Sequence, residues 1–331
     1  MAGEEDAMAG KLVGAIEAGG TKFVCAVGRA PAAGADATPD ATPDAAPDAL
    51  LAETRFPTTT PDETLERAAG WLREAAARHG TLAALGIGSF GPVDVDPASP
   101  TWGHVTSTPK PGWQGAAFAP RLAAALGVPV GFDTDVNAAA LGEWLWGAGR
   151  GTDTLVYVTV GTGIGGGAVL GGRPLHGLLH PEMGHVPVGR DPARDSFPGI
   201  CPFHGDCLEG MASGPALAAH WGRPAEELPP DHEAWEREAA HLAAGLAAIT
   251  CVLSPERIVL GGGVMETPGL LERVRDALHA RLAGYLRAPR LAERAGLDEY
   301  LVPPGLGARA GVLGALALAA RAAAVGTRGA D

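Results

Sequence analysis

Four side chains with an affinity for zinc, His185, Cys201, His204 and Cys207, fall within one stretch running from His180 to Gly210. Three of them form the spacing C-x2-H-x2-C, and the stretch reads HPEMGH, fifteen residues, then CPFHGDCLEG. Thiolate sulfur and imidazole nitrogen close a tetrahedron around zinc when the metal is structural. Two of the chain's four cysteines occupy one seven-residue window with a histidine between them, a pattern that metal-ligand spacing explains better than a chance surface loop. Glu182 and Glu209 lie within three residues of these ligands. The stretch therefore predicts a metal-pinned loop, 180–210, that presents carboxylates and an imidazole to a polar ligand.

A second chemistry is written in glycine. Strand-like segments end in glycine turns three times, at 17–22 (EAGGTK), 161–167 (GTGIGGG) and 261–263 (GGG). Glycine lets the main chain approach an anion closely, so the recurrence predicts backbone N–H groups converging on one anionic or nucleotide ligand. None of the three fits the G-x4-G-K-[ST] phosphate loop, and GTGIGG lacks the dinucleotide spacing and a following helix. Tight turns without a ligand are the alternative.

These residues need elements to hold them. LVGAIEAGGTKFVCAVG reads as strand, turn, strand; LAETRFPT as a strand; and TPDETLERAAGWLREAAARHG as a helix. That helix has Thr60 as N-cap, Pro61 in the first turn and Glu63 completing a capping box. LAALGIGSFGPVD predicts a buried strand leading into a Gly-Pro loop, and PVGFDTD a short strand running into the helix VNAAALGEWLW. Asp135 stands at that strand-to-helix junction, where the residues alone leave two roles open: helix cap and cleft-facing carboxylate. TLVYVTVGTGIGGGAVLGG predicts a glycine-bent hairpin, and ARAGVLGALALAARAAA a last helix. Residues 29–50, built on APAAGADATPDATPDAAPDA, cannot form a core and are expected to be a disordered insert. Cys25 and Cys251 lie in apolar segments and are expected to be buried packing residues.

Composition sets the outer limits. A chain of 331 residues with 46% hydrophobic and 19% charged content is globular and long enough for two domains. The formal net charge of −13 excludes a phosphate-backbone partner, which needs a basic footprint. No apolar run reaches the roughly 20 residues of a membrane span, and MAGEEDAMAGK is no secretory leader. Cysteine usage fits a reducing cytosol, so a cytoplasmic location is expected.

AIEAGGTKFVCAVG, FDTDVNAAALGE, VTVGTGIGGGAV, HPEMGH and CPFHGDCLEG, in that order, resemble the ROK sugar kinases over about residues 12–322. Glu17, SFGPVD, TSTPKPGW and the two-cysteine knot resemble the zinc-containing bacterial fructokinase branch. The resemblance implies an α/β, actin-like ATPase fold of ribonuclease H-like lobes, with the active site in a cleft between them. The first lobe would cover 10–136, with a C-terminal helix at 309–325 packing back on it, and the second 137–308. It also implies a homodimer that binds a hexose and ATP, while charge and hydropathy argue against nucleic-acid or membrane partners.

Carried over residue by residue, the resemblance makes Asp135 the catalytic acceptor of a primary-hydroxyl proton. Glu182, His185 and Glu209 would hold sugar hydroxyls, beside Thr134, which stands where many relatives have Asn. Gly19, Gly20, Thr21 and Lys22 would form the first phosphate loop. Gly161, Thr162, Gly163 and Gly165 would form the second, and Gly261, Gly262 and Gly263 the turn beside adenosine. His185, Cys201, His204 and Cys207 would hold structural Zn2+, and Mg2+ would accompany ATP. For Glu17, ordering a metal-bound water and capping the turn both remain open. The implied activity is transfer of the ATP γ-phosphoryl group to the 6-hydroxyl of D-fructose. The alternatives within the family are a glucokinase or mannokinase, an N-acylhexosamine kinase, or a polyphosphate-using glucokinase. Those of another class are a non-catalytic sugar sensor and a DNA-binding repressor; for the latter, the phosphate loop starts too near residue 17 to leave room for a reader domain.

Overall fold

The computed structural model describes residues 10–30, 50–189, 193 and 195–326. All but the ends of the expected Ala/Pro/Asp insert therefore lies outside the described residues. The first five strands are β1 (Leu12–Ala18), β2 (Lys22–Arg29), β3 (Leu50–Pro57), β4 (Leu85–Ser89) and β5 (Val130–Thr134). They form one mixed sheet in the order β3-β2-β1-β4-β5. Between them run helices α1 (Pro61–His79) and α2 (Phe118–Leu126), and α3 (Asp135–Trp146) follows directly. Strands β6 (Thr154–Val160), β7 (Ile164–Leu170) and β8 (Arg173–Pro174) come next, then α4 (Leu208–Ala212), α5 (Gly214–Trp221) and α6 (Ala234–Leu253). The chain continues through β9 (Arg257–Gly261), α7 (Leu270–Leu282), α8 (Pro289–Ala292), α9 (Leu297–Tyr300), β10 (Leu301–Val302) and α10 (Ala310–Gly326). The second set of strands runs in the order β10-β9-β6-β7-β8.

The chain divides into two compact units. One takes the described residues up to Thr152, with Gly167–His180 and the segment from Gly305 onward; the other takes Asp153–Gly166 and Pro181–Pro304. Helix α3 falls in the first of these units, and glycine packing accounts for it. A Cβ placed on Gly314 of α10 would lie 1.6 Å from the Ala138 carbonyl oxygen of α3, and one on Gly142 of α3 would lie 2.6 Å from the Ala310 carbonyl. The backbones of α3 and α10 touch, so α3 belongs with the first unit.

The last helix does pack back on the first sheet. Gly86 in β4 gives it room, since a Cβ there would meet the Ala315 carbonyl at 1.8 Å. One core lies on that side, of Val13, Ala15, Val24, Ala26, Val312, Leu313 and Leu316. The opposite face of the same strands buries Ile16, Phe23, Leu65, Leu72, Trp113 and Phe118. Burial on both faces explains why β1 reads as nearly continuous apolar sequence. Thr60 caps α1 as expected, accepting a hydrogen bond from Glu63 N at 3.4 Å. Cys25 is buried as expected, but Cys251 is exposed. It sits in the last turn of α6 beside Val252, which is 81% exposed, so apolar neighbours in sequence did not bring burial.

Candidate functional site

In the first unit three parallel strands end at one level. Ala18 of β1 stands opposite Ser89 of β4, and Ser89 opposite Thr134 of β5. Loops leaving the C-terminal ends of parallel strands share one edge, where α/β proteins bind ligands. The turn Gly19–Thr21 and Asp135 therefore lie on the same edge, two strand spacings or about 10 Å apart. The turn is held by Gly19 N donating to the Lys22 carbonyl at 2.9 Å and by Thr58 Oγ1 donating to the Gly19 carbonyl at 2.8 Å. A Cβ added at Gly20 would meet nothing within 4 Å. This glycine is not demanded by the protein's own packing there, and its backbone faces free space.

Thr134, expected to contact sugar, is the N-cap of α3: it is 4% exposed and accepts from Asn137 N at 3.1 Å. Asp135 is the first residue of the helix and not its cap. Asp135 is half-buried, and its Oδ1 accepts from Val136 N at 2.9 Å. Glu17, near the end of β1, carries a buried Oε2 with no hydrogen-bond partner among the described residues. Burial pushes its carboxyl upward, against the opposing pull of the Lys22 and Arg55 charges. An orphaned carboxylate oxygen beside an open glycine turn suits a solvated cation that arrives with phosphate.

The second unit repeats the arrangement. β6 and β9 run parallel with Thr159 opposite Gly261, so the turns 161–163 and 261–263 leave one edge side by side. Gly214 N, at the start of α5, donates to the Gly161 carbonyl at 2.8 Å. Added Cβ atoms at Gly161 and Gly263 would meet nothing within 4 Å. Gly262 is different: at φ +97° its Cβ would lie 2.3 Å from the Val160 carbonyl, so packing itself demands glycine. Gly165, expected in the loop, lies within β7 instead. Thr162 is exposed at the turn's tip.

Glu209 joins this edge to the metal-type loop. Its Oε2 accepts from Ile164 N at 2.9 Å, so a residue expected to hold sugar also pins the second glycine turn. Glu182 and His185 share one 3-10 turn, His185 N donating to the Glu182 carbonyl at 3.0 Å. His185, Cys201, His204 and Cys207 place one donor atom each within 4.8 Å of all the others. His185 Nδ1 is 3.4 Å from Cys207 Sγ and 3.8 Å from Cys201 Sγ, and His204 Nδ1 is 3.6 Å from Cys201 Sγ. Ligand bonds of about 2.3 Å to sulfur and 2.0–2.1 Å to nitrogen in a tetrahedron give S···N edges of about 3.5–3.6 Å. The four donors fit zinc. Paired Cys201–Gly205 backbone bonds at 2.9 and 3.2 Å, with Leu208 N donating to the Val186 carbonyl at 3.0 Å, build the knot's frame.

Four polar residues escaped the sequence reading. His180 Nε2 accepts from Val93 N at 3.0 Å and steadies the Gly-Pro loop that leaves β4. Asp133 bonds His176, and Asn137 ties α3 to β7 by accepting from Ala168 N at 3.2 Å. Asp133 had one legible signal, its i, i+2 relation to Asp135 at a strand end. His176 had none.

A model of the ROK family matches residues 13–322. The fructokinase of Zymomonas mobilis is 45% identical over 269 residues, covering 80% of this chain and 84% of that protein. The ROK hexokinase from Thermus thermophilus superposes with a TM-score of 0.70 at 30% identity, covering 93% of this chain and 97% of that one. The ROK family glucokinase from Streptomyces griseus, solved with glucose and AMPPNP, gives 0.67 at 25% identity and covers 94% and 99%. The two mixed sheets are those of the actin-like ATPase fold, and this chain belongs to the ROK family.

Proposed function

We propose that this protein transfers the γ-phosphoryl group of ATP to the 6-hydroxyl of D-fructose. As a member of the ROK family matching a fructokinase across most of both chains, it is a sugar kinase. The observation that carries the kinase chemistry is the shared edge of the first unit, where an open glycine turn and Asp135 follow two parallel strands, β1 and β5, with β4 between them. Phosphoryl transfer asks mainly for positioning and charge stabilisation. Backbone N–H groups of Gly19–Lys22 and Gly161–Gly163 would hold the phosphates, with Gly261–Gly263 against the nucleoside. Asp135 orients the attacking hydroxyl and takes its proton late, from a place in the first turn of α3 where the helix dipole favours negative charge. Glu182, Glu209 and the Nε2 of His185 would hold the remaining sugar hydroxyls.

Zn2+ would be held by His185, Cys201, His204 and Cys207, and it supplies structure, keeping His185 Nε2 turned away from the sulfurs. Mg2+ would neutralise phosphate charge, with Glu17 orienting its water. A cytoplasmic homodimer is the proposed working form; among the described residues no helix is long and apolar enough to cross a membrane. The test is coupled ADP release with Mg-ATP against fructose, mannose, glucose and N-acetylmannosamine in parallel. Fructose giving the highest kcat/KM is expected. Another sugar leading would replace the substrate, and no turnover with any would replace the kinase reading by a sugar sensor.

A further inference from the structure

Behind Asp135 lies a polar chain that phosphoryl transfer does not itself require. Asp133, the penultimate residue of β5, is 2% exposed, and its Oδ1 accepts from Thr134 N and from Asn137 Nδ2, both at 2.8 Å. Its Oδ2 accepts from His176 Nε2 at 3.0 Å. Asn137 Oδ1 continues the chain by accepting from Ala168 N, and Thr134 Oγ1 accepts from Asn137 N. The Thr134 amide and the Asn137 side chain thus meet at one carboxylate. That carboxylate has one cationic-capable partner in this chain of contacts, an imidazole from the segment after β8. Glycine at 167 lets β7 lie directly against the turn, where a Cβ would be 2.4 Å from the Val136 carbonyl.

A buried carboxylate is costly unless each oxygen is satisfied. His176 therefore does more than fill space. We propose that His176 is a positioning residue for phosphoryl transfer, holding Asp133 so that the Thr134–Asp135 turn presents the Asp135 carboxylate in reactive register. This rests on the kinase reading above. The pair is also pH-responsive. The hydrogen bond and charge of Asp133 raise the imidazole's pKa above its usual 6.5, against partial burial. Charged groups on the elements nearby are Asp135 and Glu143 on α3, Arg173 on β8 and Arg321 on α10; Glu143 is committed to backbone amides of Ala148, Gly305 and Leu306. The charge that acts on His176 is that of Asp133. With the pKa raised, the imidazolium is present below 6.5 and is lost as pH rises through the higher folded-state value. The neutral ring keeps its Nε2–H, so turnover falls on deprotonation without vanishing.

Steady-state kinetics of His176→Ala and His176→Gln, each across pH 5.5–9, test this. His176→Ala is expected to lower kcat by about 10- to 100-fold, the scale of a displaced reacting group, with sugar KM within about twofold. His176→Gln keeps an N–H donor without a charge; it is expected to recover most of kcat and to lose the step on the alkaline side. Unchanged kcat and pH profile in His176→Ala, or a lower melting temperature with unchanged kcat, overturns the proposal. Were the wild type itself inactive on all sugars, the kinase reading would fall, and nuclear magnetic resonance still decides the coupling. The Thr134 amide is expected to shift with the His176 titration in wild type and not in Asp133→Asn; a Thr134 amide indifferent to that titration overturns it.

Discussion

His185 Nδ1 lies 3.4 Å from Cys207 Sγ, two residues separated by 22 positions in sequence. The contact sets which imidazole nitrogen faces the sulfurs and which is left for another partner. It also places Glu182, on the same 3-10 turn, and Glu209, two residues past Cys207, at either end of one cross-link. Burial, with Cys201 adjacent, pushes the Cys207 thiol up to about 11, so metal binding at this knot would release a proton.

Changing Cys201 and Cys207 together to Ser should remove the metal. Wild-type protein is expected to carry one zinc per chain by elemental analysis and the double variant none, with sugar KM rising as the loop loosens. Full zinc occupancy in the variant would sink the assignment of ligands.

Asp135→Asn keeps the size and the first-turn position of the side chain but not its charge. Turnover should fall by about 10²–10⁴-fold, the usual contribution of a positioned proton acceptor. ATP binding by calorimetry and the melting temperature should stay near wild type. A rate within a few-fold of wild type removes Asp135 from the mechanism.

Glu238 on α6 is 1% exposed, and neither carboxylate oxygen has a hydrogen-bond partner among the described residues. Burial raises its pKa well above 4.5. The folded state then holds a proton that the unfolded chain releases, so stability declines as pH rises from 4.5 toward the folded-state value. Glu238→Met should therefore raise stability by about 1–3 kcal/mol at pH 8 and by less at pH 5. Urea midpoints at the two pH values decide it; equal gains at both would mean the carboxyl is not the cause.

Two glycine-to-alanine changes should act in opposite directions. Gly314→Ala forces a methyl group to within 1.6 Å of the Ala138 carbonyl, pushing α10 off α3 at a cost of about 1–3 kcal/mol or more. Gly70, inside α1, has nothing within 4 Å of an added Cβ, so Gly70→Ala should gain about 0.5–1 kcal/mol. Thermal melts of the pair check the α3–α10 contact against a helix-propensity control, and an unchanged melting temperature in Gly314→Ala would contradict the close approach.

Much of the molecule is legible in its contiguous residues. The strand-turn-strand of β1 and β2, the capped helix α1 and the zinc-type ligand set follow from local periodicity, capping chemistry and ligand spacing, all properties of short stretches of chain. Strand ends in glycine told where backbone would be open, and Gly20, Gly161 and Gly263 are open. Tertiary structure decided what depends on distant partners. It made Thr134 a cap and put Gly165 inside a strand, and it left Cys251 exposed at the end of α6. It joined α3 to α10, because glycines 172 residues apart, Gly142 and Gly314, let two helices touch through their backbones. It also brought His176 to Asp133, 43 positions apart. Local sequence can specify which groups a segment offers; only the packed fold specifies which of them meet, because those encounters are set by sheet register and helix contact.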